Sequence, residues 1–127
     1  MFFSEHCSVE YLKSANAVLI IWRKPCSQEA YRLPVRHALN LFKENPLCAS
    51  LIVDARSGFE DAPEDVSWAF SQWMPQLAET GCRRFLFIKP PSDELETELD
   101  LWTKELLKYF TVSHVFSLEE AFALCRA

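Results

Sequence analysis

Glycine and long apolar runs are both scarce in this chain of 127 residues, which contains only two glycines. None of the junctions between a predicted strand and a helix has the glycine pattern of a phosphate loop, so no motif supports nucleotide binding. The longest apolar run, AVLIIW, is far too short to span a bilayer. The start of the chain lacks a basic segment followed by an apolar stretch of signal-peptide length, so we expect a cytoplasmic protein.

Clustered positive charge is also missing. The formal net charge is −5, and the lysines and arginines are scattered along the chain. A phosphate backbone would therefore meet net repulsion, which argues against nucleic-acid binding. Half of the residues are hydrophobic and 24% are charged, which is the balance of a compact globular domain. We therefore expect one domain over residues 1–127.

The cysteines and histidines follow no metal-binding or disulfide pattern. The five cysteines form no CxxC pair, and their number is odd. The three histidines are equally dispersed, so no two ligands stand at a metal-site spacing. We expect reduced cysteines, no metal site and no cofactor.

Apolar runs alternate with helical patterns along the chain and predict the order β-β-α-β-α-β-α-β-α. The predicted strands cover residues 8–14, 17–23, 49–55, 83–91 and 111–116, and the predicted helices cover 27–46, 62–81, 92–110 and 117–127. Strands that are apolar throughout are typical of a parallel sheet covered by amphipathic helices. The sequence thus predicts a single α/β domain whose mixed sheet is mostly parallel, with the first strand antiparallel.

Prolines and caps refine the predicted helices. Ser27 is the expected N-cap of the first helix, in which Pro34 removes a hydrogen bond. Pro63 fits the first turn of the second helix, and Pro75 is expected to kink that helix near its end. Ser117 and Glu120 stand at the spacing of a capping box at the last helix.

An acidic segment follows the second apolar strand, and it is one candidate site. Asp54 ends that strand, Ser57, Glu60 and Asp61 follow before the next helix, and Glu64 and Asp65 lie in the first turn of that helix. A set of carboxylates at the carboxyl end of a parallel strand can bind a divalent metal. Acidic residues also stabilise the positive end of a helix dipole, and this second interpretation is favoured.

Trp68 and Cys26 are two further candidates. Trp68 projects away from the apolar face of its helix, near Gln72 and Gln76, which is typical of an interface residue or the lip of a pocket. The alternative is that a neighbouring segment covers it. Cys26 precedes a helix and follows Arg23 and Lys24, an environment that lowers a thiol pKa, although a packed, unreactive cysteine is the commoner case.

The chain resembles the STAS-like superfamily, in particular small bacterial proteins similar to the anti-sigma-factor antagonist of sporulation. The resemblance covers nearly the whole chain and lies in the order of elements and in the segments LIVDARSG, APEDVSWAFSQWMPQL, GCRRFLFIKP and HVFSLEEAFALC. It implies a non-enzymatic domain that binds a partner protein, itself or a small ligand. In regulatory members a serine at the start of the second helix is phosphorylated. The corresponding positions here, Ala62 and Pro63, carry no hydroxyl, and the nearest serines are Ser57 and Ser67.

Three functional hypotheses follow. The first is a binding or regulatory module that acts through protein–protein contacts, as a homodimer or with a partner protein, without the usual serine phosphoswitch. The second is a thiol-redox protein that uses Cys26. The third is a carrier of a small apolar or anionic ligand, because STAS-like folds resemble lipid-binding CRAL-TRIO domains in topology. The sequence contains no GxSxG or HExxH motif, and we expect no catalytic residues.

Overall fold

A computed structural model of the protein describes residues 1–57 and 62–126, which form a six-stranded sheet. The strands lie side by side in chain order and are β1 (Phe2–Phe3), β2 (Cys7–Leu12), β3 (Ala17–Trp22), β4 (Ser50–Asp54), β5 (Arg84–Ile88) and β6 (Thr111–Val115). β1 and β2 pair antiparallel, as do β2 and β3, whereas β3 to β6 are parallel. The predicted mixed and mostly parallel α/β sheet is confirmed. The short β1 was not predicted.

Helices follow each of the parallel strands at the predicted places, and the last one, after β6, ends the described chain. They are α1 (Glu29–Glu44), α2 (Pro63–Trp68), α3 (Met74–Ala78), α4 (Glu96–Leu106) and α5 (Leu118–Arg126). A π-helical segment, Ala69–Trp73, joins α2 directly to α3, and a 3₁₀ turn, Lys13–Ala15, closes the hairpin between β2 and β3. In the described parts of the chain, none of these helices has both the length and the apolar character that a membrane crossing requires.

The helices are divided unequally between the two faces of the sheet. Strands in chain order with right-handed connections place the connecting helices on one face. The larger core, which includes Phe42, Phe85 and Trp102, accordingly lies under α1, the α2–α3 unit and α4. The smaller core contains Ile52 and Leu86 and is covered by α5. α1, the α2–α3 unit and α4 therefore form one helical layer over that face of the sheet.

The helix ends agree with most of the predicted caps. Pro63 opens α2, and the Ser117 hydroxyl accepts a hydrogen bond from the Glu120 N–H at 3.2 Å before α5. Pro34 is buried inside α1, which continues through it. The prediction of Ser27 as N-cap is wrong. Gln28 occupies that position with a φ of 56°, and its own side chain makes no capping hydrogen bond.

Candidate functional site

Asp54, the first predicted site residue, is buried at the carboxyl end of β4, and both of its oxygens are engaged. Oδ1 accepts hydrogen bonds from the backbone N–H of Arg56 at 3.1 Å and from its Nε at 3.0 Å. Oδ2 accepts a further bond from Nη2 of the same arginine at 2.8 Å. This bidentate pair fixes the turn that leaves the strand. Ser57 is exposed three residues after Asp54, and Glu60 and Asp61 lie outside the described residues.

Asp65, which the sequence analysis named only as one member of the acidic set, has a specific role in the structure. Its side chain is 1% exposed, and it joins the start of α2 to the start of α1. One carboxylate oxygen accepts the Gln28 N–H at 3.0 Å, and the other accepts Nε of Arg32 at 3.0 Å. A carboxylate from another helix thus replaces the missing side-chain cap of α1. Helical spacing indicates that this side chain is buried, because Asp65 lies four and eight residues before the buried Ala69 and Trp73, on the same side of the helix.

Trp68 is half-buried against two arginines of α1. The guanidinium carbons of Arg32 and Arg36 lie 5.2 Å and 5.3 Å from the centre of its ring, within the range of cation–π contacts. The edge of the ring meets Tyr31, with ring centres 6.3 Å apart. Trp68 therefore lies at the lip of a groove, and its place at an interface stays a prediction. α1 covers one side of the ring, and the rest contributes to a groove.

The π-helical segment sets the direction of the side chains after Trp68. The N–H of Met74 bonds to the carbonyl of Ala69, five residues earlier. Pro75 lacks an N–H. Two side chains in this stretch donate to carbonyls four residues earlier: Ser71 Oγ bonds to the carbonyl of Ser67, and Gln76 Nε2 bonds to that of Gln72, both at 2.8 Å. The turn that precedes Pro75 is therefore wider than an α-helical turn, a feature often found at functional sites.

The groove between α1 and α2–α3 has a volume of about 300 Å³. One wall of the groove is polar or basic and comes from α1, with Arg36, Asn40 and Lys43. The other wall is polar and aromatic and comes from the α2–α3 unit, with Trp68, Gln72 and Gln76. The apolar floor consists of Leu39 and Trp73. The floor is fixed because Nε1 of Trp73 donates to the carbonyl of Val35 at 2.8 Å. The lining contains two cations and no carboxylate, in a chain of net charge −5.

Two other spaces lie on the same side of the sheet. A shallow groove of about 380 Å³ between α2 and α4 is mostly apolar and includes Phe70, Leu101 and Trp102. An interior space among the core aromatic residues measures about 20 Å³, close to the volume that one water molecule needs. Room for a ligand larger than water is therefore found in the surface grooves rather than in this interior space.

The cysteines are free thiols, and three of them are buried. Burial raises the pKa of Cys7 to about 12, and it raises the pKa of Cys48 and Cys82 as well. A thiol with a raised pKa is a poor nucleophile at neutral pH. Cys26 is half-buried against the edge of the larger core, two residues before the N-cap of α1. The described residues contain no group of three or more potential ligands placed to hold a metal.

The chain was compared with protein-family models, with curated proteins and with solved structures. None of these comparisons found a match. Function must therefore be inferred from the site itself, in which a tryptophan, two cations and three side-chain amides surround an apolar floor.

Proposed function

We propose that the chain is a non-enzymatic binding module that acts through protein–protein contacts, of the STAS type that its sequence resembles. The observation that carries the proposal is the groove between α1 and α2–α3, where Trp68 and Arg36 border an apolar floor. Tryptophan and arginine are enriched among the residues that dominate binding energies at protein interfaces. The module works in the cytoplasm, with a second copy of itself or another protein as its partner.

The hydrogen bonds of the buried aspartates support a binding function rather than catalysis. Asp54 and Asp65 are the acidic groups best placed for catalysis, and each is held by an arginine. A general base or a metal ligand needs a lone pair directed at its target. The oxygens of Asp54 instead accept hydrogen bonds from Arg56, and those of Asp65 accept them from Arg32 and from the Gln28 N–H. The two aspartates instead fix the turn after β4 and the relative positions of α1 and α2, which makes the groove rigid.

A photo-crosslinking amino acid at position 72, introduced in cells, tests the proposal. Gln72 is exposed and lines the groove, whereas Ser14 is exposed in the hairpin turn and serves as the matched control. We expect crosslinked protein species from position 72 and none from position 14. An absence of crosslinks at position 72 would contradict protein binding at this groove. Mass spectrometry of the product distinguishes a second copy from a different protein.

The module acts without the usual phosphoswitch. Ala62 and Pro63, at the start of α2, offer no acceptor hydroxyl, although Ser57 and Ser67 are exposed nearby. A phosphate adds about −1.5 to −2 charge and would lie beside existing acids, where repulsion opposes it. Intact-mass spectrometry of protein purified from cells tests this point, and a stoichiometric mass gain of one phosphate would contradict it.

A small-ligand carrier is the second candidate, and the groove between α2 and α4 favours it. That groove is mostly apolar and is wide enough for a small organic molecule, at about 380 Å³. Native mass spectrometry of the freshly purified protein should then detect a bound molecule that Leu101→Asp releases. A thiol function of Cys26 stays a prediction, and its test is the rate of alkylation at neutral pH relative to a model peptide.

A further inference from the structure

The helical layer of the protein has a fixed lateral order. α2 lies between α1 and α4, because one groove separates it from α1 and another separates it from α4. The ring centres of Phe70 and Trp102 are 5.0 Å apart and join α2 to α4. Across the sheet the order is therefore α1, α2–α3 and α4.

Charge changes sign across this layer. α1 carries three basic residues, Arg32, Arg36 and Lys43, and two acidic ones. Residues 92–106, which contain α4 and the turn before it, carry six carboxylates and one lysine. Glu96 pairs with Lys89 at 2.9 Å, but Asp93, Glu94 and Asp100 are exposed. The α1 edge thus has an excess of one basic residue, with Arg36 also paired with Glu29 at 3.4 Å, whereas the α4 edge is strongly acidic.

The middle of the layer carries no charge. Residues 66–78, from α2 through α3, include no acidic or basic side chain. The exposed side chains of this stretch are small or amide-bearing: Ser67, Ser71, Gln72 and Gln76. Depletion of charge at the centre, with charged groups at the rim, is the usual composition of a protein interface.

Exposed leucines flank this uncharged strip. Leu33 of α1 is 49% exposed and Leu101 of α4 is 52% exposed. Leu101 stands beside Asp100, so α4 presents an apolar side chain within an acidic surface. The groove between α1 and α2–α3 has the opposite character, since cations border an apolar floor.

We propose that this layer is the interface of a homodimer whose two-fold axis runs along α2. Rotation about that axis places α1 of each copy opposite α4 of the other, so each basic groove receives the partner's acidic α4 with Leu101. The two contacts are equivalent, as closed two-fold symmetry requires. This inference rests on the proposed function and adds to it the identity of the partner and the pairing of surfaces.

The uncharged strip explains why the axis lies along α2. A residue on a two-fold axis meets its own copy, so a charged residue there would face a like charge. Residues 66–78 avoid this repulsion. A two-fold axis at right angles to the helices would instead oppose α1 to α1 and α4 to α4, which brings like charges together.

Complementary charge reversal tests the pairing. The first variant carries Arg36→Glu and Lys43→Glu in the groove, and the second carries Glu94→Lys and Asp100→Lys at α4. All four side chains are exposed, so each variant should fold. A control with Glu10→Lys and Glu119→Lys matches the charge change of the second variant. Its two positions are exposed on β2 and α5, outside the proposed interface.

Light scattering over a range of concentrations gives the readout. We expect the wild type and the control to reach twice the monomer mass of 14.7 kDa. Each variant alone should associate at least about tenfold more weakly, because both of its contacts oppose like charges. An equimolar mixture of the two variants should regain the dimer mass, since both contacts are then attractive.

Three results would overturn the inference: a monomeric wild type, variants that dimerise as well as the control, or a mixture that stays monomeric. The proposed function fails separately. Crosslinking from position 72 to a different protein, with a monomeric wild type, removes the homodimer and leaves the binding module. Absence of crosslinks together with a monomeric wild type removes both.

Discussion

Replacement of Asp65 by alanine should destabilise the protein by about 2–3 kcal/mol, because it removes the shared acceptor of two donors. The donors are the Gln28 N–H and Nε of Arg32, each 3.0 Å from a carboxylate oxygen. A buried donor without a partner costs about 1–3 kcal/mol. The Arg32 side chain is 26% exposed, so water reaches it and the low end of that range, about 1–1.5 kcal/mol, applies to each donor.

Urea denaturation followed by tryptophan fluorescence measures this loss. For a domain of this size, it corresponds to a fall in melting temperature of roughly 10 °C. Asp65→Asn retains one oxygen acceptor and should lose only about half as much stability. The control is Glu64→Ala, an exposed neighbour whose replacement should change stability by less than about 0.5 kcal/mol.

A double-mutant cycle with Arg32→Gln separates the ion pair from the backbone hydrogen bond. If Arg32 and Asp65 interact as described, their coupling energy should be at least about 0.5 kcal/mol. The reasoning is refuted if Asp65→Ala costs no more than Glu64→Ala. In that case the carboxylate would not join α1 to α2, and the rigidity of the groove would need another cause.

Three further predictions concern single positions. Gly81→Ala should destabilise the protein by about 1–3 kcal/mol, because a Cβ there would lie 2.2 Å from the carbonyl oxygen of Pro46; a melting temperature within error of wild type would contradict this. Gln28→Gly should stabilise it by about 0.5–1 kcal/mol, since glycine adopts a φ of 56° without strain, and calorimetry that shows a loss would contradict the reasoning. Burial lowers the pKa of His114, so the unfolded chain binds this proton more readily, and stability should fall as pH drops below about 6.5. His114→Gln should flatten that fall in urea titrations at pH values on either side, whereas an unchanged slope would exclude His114 as its source.

The sequence predicted the parallel strands well because their apolar runs have few alternative structures. AVLIIW and FLFI are too continuous for an exposed strand and too short for a helix bounded by polar turns. β1 has only two residues, Phe2 and Phe3, and so gave no pattern to detect. Its pairing with β2 depends on tertiary position rather than on local propensity.

The candidate site was predicted less completely, and the reason is tertiary. Helical spacing predicted that the Trp68 side chain lies near Gln72 and Gln76, and all three residues line the groove. The two arginines that flank its ring lie more than thirty residues earlier in the chain, so spacing within one helix could not reveal them. Asp65 was taken for an ordinary first-turn acid because its partners also belong to another helix.

The strict agreement between chain order and strand order bears on how the protein is made. After the hairpin of β2 and β3 forms, each later parallel strand joins the free edge of the sheet beside the strand that came before it. No strand has to enter between two that are already paired, as happens in doubly wound folds. The nascent chain can therefore extend its sheet in the order in which the ribosome releases it, without rearranging strand pairs that have already formed.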